Sequence, residues 1–131
     1  LGEPLSNLAG ELPPQVLLLD SSWREATQLV RQVERVGRLV NLPMTGASRY
    51  RLRTARGTPV FSTVEALLFL LQALGHNEAH AALQRQFELH VYAGLRARGD
   101  KVGAETFLAD SPAKEAFPEL IAELNRRRPR E

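Results

Sequence analysis

The run Val16-Leu17-Leu18-Leu19, followed at once by Asp20-Ser21-Ser22-Trp23-Arg24-Glu25-Ala26, constrains the fold more than any other stretch. Consecutive apolar residues between Pro13-Pro14 and a polar cluster predict a short strand buried on both faces, as in parallel sheets covered by helices. Ser22 with Glu25 three positions on has the spacing of a capping box, so a helix is expected to begin there. A strand passing directly into a helix is the repeating unit of α/β folds. Open sheets of that class place ligands beyond the carboxyl ends of their strands. Asp20 and Ser21 fall at such an end and are the first candidate site residues.

From Trp23 to about Val36 the apolar residues Trp23, Ala26, Leu29, Val30, Val33 and Val36 keep helical spacing, with Gly37 as a C-cap. Arg38 to Leu42 is expected as a second short strand, stopped by Pro43. Met44 to Pro59 reads as a long connection in which Tyr50 and Leu52 alternate with Arg49, Arg51 and Arg53; loops of that length are usually functional. Ser62-Thr63-Val64-Glu65 is a second capping box and opens a core helix from Val64 to Leu74, apolar nearly all round. Gly75 ends it, and Asn77 can cap the next helix. Ala79, Ala82, Leu83, Phe87, Val91 and Leu95 form the stripe of a long helix running to about Arg98, which Gly99-Asp100 breaks. Ser111-Pro112 opens a last helix, and Pro118 within it is expected to kink it. With 131 residues the chain is read as a single domain, 1–131, whose part from residue 99 onward is a helical extension.

Composition narrows the function classes. The sequence holds no cysteine, which excludes disulfides and thiolate metal sites. No apolar run approaches the length that spans a bilayer, so no membrane association is expected and the cytoplasm is the default location. A net charge of +2 gives a weak overall field, but Arg49, Arg51, Arg53 and Arg56 stand together without an acid, and Arg126, Arg127, Arg128 and Arg130 close the sequence. Clustered arginines bind phosphate even on a chain of modest total charge.

Each candidate has a plain structural reading beside the chemical one. A capping box satisfies helix amides and stabilises by about 1 kcal/mol, which alone explains Ser22, Glu25, Ser62 and Glu65. The same helix ends present N–H groups that can hold a carboxylate. Asp20 either accepts backbone N–H bonds or acts as a base with a raised pKa. Trp23 is a packing anchor or a surface on which a base stacks. Arg49, Arg51 and Arg53 are a solvated face or a phosphate grip, the latter suited to their forked donors. His76 and His80 have the helical spacing of metal ligands but no evident third partner, so no metal is expected.

Taken together, Leu17-Leu18-Leu19-Asp20-Ser21-Ser22-Trp23-Arg24-Glu25-Ala26, Leu42-Pro43, Ser48-Arg49-Tyr50-Arg51-Leu52-Arg53 and Ser62-Thr63-Val64-Glu65-Ala66 resemble the DTW-domain family, over about Gln15 to Arg98. Ser21-Ser22 stands where that family usually has Gly-Thr. Its cysteine-rich amino-terminal segment and its upstream strands and helices are expected to be missing or shortened here. The resemblance implies a tRNA-uridine aminocarboxypropyltransferase, related to the knotted SPOUT class. It implies an α/β fold with a parallel sheet flanked by helices, a trefoil knot, and a helical C-terminal part. It further implies S-adenosylmethionine as donor, a tRNA uridine as acceptor, and 3-(3-amino-3-carboxypropyl)uridine with methylthioadenosine as products. By motif, Asp20 is the expected catalytic residue. Ser21, Ser22, Trp23, Ser62, Thr63 and Glu65 are expected at the cofactor, and Arg49, Tyr50, Arg51 and Arg53 at the RNA. An RNA methyltransferase of the SPOUT type and a non-catalytic RNA-binding module are the alternatives. Related SPOUT proteins often dimerise, which leaves a homodimer open beside a monomer.

Overall fold

The long apolar stripe becomes helix α3, Asn77–Ala97, and the rest of the core is assembled on it. The computed structural model describes residues 2–8, 15–19, 23–42, 44–52 and 61–126. In chain order these form strand β1 (Glu3–Pro4), a 3-10 turn (Leu5–Leu8), helix α1 (Trp23–Val33), strand β2 (Val40–Asn41), helix α2 (Thr63–Ala73), α3, helix α4 (Lys101–Ala109), helix α5 (Ala113–Ala116) and helix α6 (Pro118–Asn125). Phe87, Val91 and Leu95 recur every fourth residue of α3, with Tyr92 beside them, and all four are buried. Helices α2, α4 and α5 pack against α3. Leu68, Ala104, Phe107 and Ile121 close the same cluster from α2, α4 and α6. The Tyr92 hydroxyl donates to Asn125 Oδ1 at 2.7 Å and so ties α6 to α3.

Helix ends follow the local sequence. At Gly75, with φ near 80°, the Gly75 and His76 amides bond the carbonyls of Gln72 and Leu71. Gly99 repeats the arrangement, with Gly99 and Asp100 bonding Arg96 and Leu95. Both are Schellman ends, whose left-handed residue costs glycine little. Asp100 then caps α4 through Gly103 N–H at 2.9 Å. That helix falls inside the helical extension expected from residue 99 onward, although the sequence pattern gave it no bounds of its own. Asn77 lies inside α3, with His76 at the N-cap and no side-chain cap bond. Pro118 divides the expected last helix into α5 and α6 and occupies the first turn of α6, where its missing N–H is harmless.

The expected strand at Val16–Leu19 does not form. Residues 15–19 take no strand conformation, and Val16 and Leu17 are 50% and 65% exposed. An apolar run is buried on two faces only where strands flank it and helices cover it. Among the described residues the sheet consists of β1 and β2 alone, paired in parallel with Glu3 opposite Val40. The parallel pairing expected of an α/β fold is therefore present on a small scale, within a mostly helical molecule. The Arg38 guanidinium binds both oxygens of Glu3, its Nη2 at 2.7 Å from Oε2, and Asn7 donates to Oε2 at 3.2 Å. These bonds, Arg38 foremost, hold the Glu3 carboxyl at a pKa of about 2. Among the described residues no helix is long and apolar enough to cross a membrane.

Candidate functional site: a strap fastened to the mouth of helix α2

Ser62 and Glu65 do what their spacing predicts. The Glu65 amide donates to Ser62 Oγ at 3.3 Å and the Ser62 amide donates to Glu65 Oε1 at 2.9 Å, a complete capping box. Glu65 does more than cap. It is only 9% exposed, and it reaches a segment that precedes it by more than a dozen residues. Ser48 Oγ donates to Glu65 Oε1 at 2.7 Å, and the Arg49 amide donates to Oε2 at 2.8 Å. Ser62 Oγ adds a further bond to Oε1 at 3.1 Å. One buried carboxylate thus accepts from two segments and has both oxygens occupied.

The segment it fastens, residues 48–52, lies across α2 and α3 as a strap. Ser48 and Leu52 are buried and Tyr50 is half-buried, but Arg49 between them is half-buried as well, so the alternation expected from the sequence is only partial and no strand forms. Ser48 Oγ also accepts from the Tyr50 amide at 3.1 Å, a local serine turn. The Tyr50 ring stacks on Phe87 with centroids 6.3 Å apart. Leu52 presses on α3 at Gly94, where a Cβ would lie 2.5 Å from Leu52 Cδ2. Gly94 is required for this close approach.

The arginines of the strap have separate fates. Arg49 turns inward: its Nη2 lies 2.6 Å and its Nε 3.2 Å from Oε1 of Glu88, an acid only 2% exposed on α3. Nη2 also donates to the Phe107 carbonyl at 3.2 Å, and Nη1 stands 3.1 Å from Asp110 Oδ1. The guanidinium carbon sits 4.2 Å above the Phe107 ring centroid. The Arg49 charge is therefore matched by two carboxylates and a ring face. Arg51 is exposed and donates to the Ser48 carbonyl. Arg53 lies outside the described residues, as do Asp20, Ser21 and Ser22. Trp23 opens α1. Thr63 is exposed at the first turn of α2, beside half-buried Ser62.

The structure thus brings Ser48, Arg49, Tyr50, Arg51, Ser62, Thr63 and Glu65 to one junction. Sequence reasoning missed Glu88 as part of it. The signal was present: an acid on the buried stripe of a helix, next to Phe87 and one turn before Val91 and Tyr92, requires a cation from elsewhere. Among the described residues every buried side-chain nitrogen and oxygen has a hydrogen-bond partner, and no group of three or more His, Asp or Glu converges as a metal site.

A model of the DTW domain matches residues 3–93, which include the strap, the α2 cap and most of α3. The chain belongs to the DTW-domain family. That domain is associated with tRNA modification. No solved structure matches the chain.

Proposed function

We propose that this chain transfers the 3-amino-3-carboxypropyl group of S-adenosylmethionine to N3 of a tRNA uridine. The observation that carries the reading is the Glu65 junction, in a DTW domain: one carboxylate fixes the Ser48-Arg49-Tyr50-Arg51 motif against the Ser62-Thr63-Val64-Glu65 motif. Group transfer from a sulfonium depends on holding one of three electrophilic carbons in line with the nucleophile, and a rigid polar frame serves that purpose.

The described residues fit part of a donor site. The Thr63 hydroxyl and the first-turn amides of α2 suit the donor's carboxylate. Glu65 stands behind these amides in the donor site, with Oε1 accepting from Ser48 and Ser62 and Oε2 from the Arg49 amide. S-adenosylmethionine would supply an electrophilic methylene on sulfur and leave as methylthioadenosine. In this reading Ser21 and Ser22 hold the donor and Trp23 stacks on a base. Asp20 receives the uridine N3 proton as the N3–carbon bond forms and the carbon–sulfur bond breaks. Arg51 and Arg53 bind tRNA phosphate, and Tyr50 borders the base. A larger knotted parallel sheet of the SPOUT type belongs to the same proposal.

Mass spectrometry of tRNA nucleosides after incubation with protein and donor tests it. Aminocarboxypropyl-uridine is expected, and it should disappear with Asp20→Asn. A gain of methyl groups instead would make the chain a methyltransferase. Binding of tRNA without any affinity for S-adenosylmethionine would make it a binding module.

A further inference from the structure

Arg49 belongs to the arginine cluster that the sequence offers as an RNA grip, yet its contacts run the other way. Its guanidinium meets Glu88 on α3 and Asp110 and the Phe107 carbonyl at the C-terminal end of α4, and it covers the Phe107 ring. A cation at a helix C-terminus is favoured by the helix dipole, and a buried acid such as Glu88 is tolerated only with such a partner. Only 29% of the Arg49 side chain is exposed, and two carboxylates already neutralise it. A phosphate approaching from solvent would have to displace them. Arg51, two residues on, has neither constraint: it is exposed, and the partner it reaches is a carbonyl of its own strap.

We propose that Arg49 and Glu88 are a positioning pair, which seats the strap on α3 and α4 so that Arg51, and not Arg49, meets RNA phosphate. This rests on the tRNA reading for the identity of the ligand, and on geometry alone for the seat. It also gives α4 a task. Residues 101–110 lie beyond the matched span 3–93, but they supply Phe107 and Asp110 to the Arg49 seat. The site is therefore completed by a part of the chain that the family match does not include.

The test uses the full chain with three changes: Glu88→Gln, the double change Arg49→Met with Glu88→Met, and Arg51→Ala. The double change removes both charges together, so no ion is left buried alone if the single change unfolds the protein. Hydrogen exchange, measured without RNA or donor, reads the seat. The Arg49 and Tyr50 amides should exchange at least about tenfold faster in the first two variants, while the Val91 and Leu95 amides keep their protection. Unchanged exchange of the strap amides would overturn the seat, whatever the ligand proves to be. The salt dependence of tRNA binding reads the division of labour. The slope of log K against log salt should fall by about one in Arg51→Ala, and adding the double change to Arg51→Ala should lower it no further. A further fall of about one on adding the double change to Arg51→Ala would make Arg49 a phosphate contact and overturn the proposal. In turnover with tRNA, Glu88→Gln should act through KM for tRNA rather than kcat. If tRNA proves not to be the ligand, the tRNA reading fails by itself, and the exchange measurement still decides the pair.

Discussion

Ser48, Arg49, Ser62 and Glu65 show how a residue type chosen for a local task acquires a second one. A Glu at the third position of a helix is explained by its cap alone, and in an exposed helix the account would end there. Here the side chain is buried, so the lone pairs left over after capping need donors, and the strap provides them through the Ser48 hydroxyl and the Arg49 amide. Glu65→Ala should therefore cost well more than an ordinary cap, about 3 kcal/mol, because it also strands buried donors. Ser48→Ala removes one donor to the carboxylate and the acceptor of the Tyr50 amide, and should cost about 1–2 kcal/mol. Urea melts of the two variants beside the parent chain measure both. Equal losses would mean that the carboxylate does not join the two segments.

At the scale of the element, the contact between the strap and α3 depends on a missing side chain. Glycine inside a helix is ordinarily unfavourable, and replacing it with alanine is worth about 1 kcal/mol. At Gly94 the sign should reverse, because the added Cβ would lie 2.5 and 2.7 Å from the two terminal carbons of buried Leu52. Crowding of this kind costs about 1–3 kcal/mol. Gly94→Ala is expected to lower the melting temperature and to loosen the strap. Adding Leu52→Ala to it should cost less than Leu52→Ala does in the parent, a coupling that a double-mutant cycle of thermal melts detects. Elements also differed in how well the sequence disclosed them. The stripe of α3, the box at Ser62 and the glycine ends at Gly75 and Gly99 are written in spacings of a few residues, so they were legible. Helix α4 was not. Asp100 signals its start, but Gly103 weakens the pattern and the helix is only nine residues long. The inward turn of Arg49 was hidden for another reason: Glu88 stands 39 positions away, and no local period connects them.

For the whole molecule, the apolar run at Val16–Leu19 shows that hydrophobicity states a preference for burial without naming a partner. Among the described residues the apolar side chains that find partners lie on the strap and on α2 to α6, and that is where the core forms. Stability is correspondingly uneven, and an exposed ion pair, Arg38 with Glu3, accompanies the backbone pairing of β1 and β2. Because the Glu3 pKa is lowered in the folded state, from about 4.5 to about 2, its contribution is complete above pH 4.5 and is lost as the pH falls through 2. Arg38→Gln removes the main cause, so Glu3 should then titrate closer to 4.5, as carboxyl-carbon NMR would record. Protection of its amide, which bonds the Leu39 carbonyl at 3.0 Å, should then be lower above pH 4.5 and vary less with pH below it. A Glu3 pKa unmoved by that change would separate the carboxylate from the arginine.

The bond between Ser48 and Glu65 has a consequence for variation in length. It works as a hasp, fixing both ends of the tract that runs between the two motifs, so the placement of either motif does not depend on how many residues the tract contains. Closing a tether of twice the length costs only about 0.6 kcal/mol more. Insertions after Arg53 and before position 60 should therefore cost the junction far less stability than a single polar-to-apolar exchange at the hasp itself.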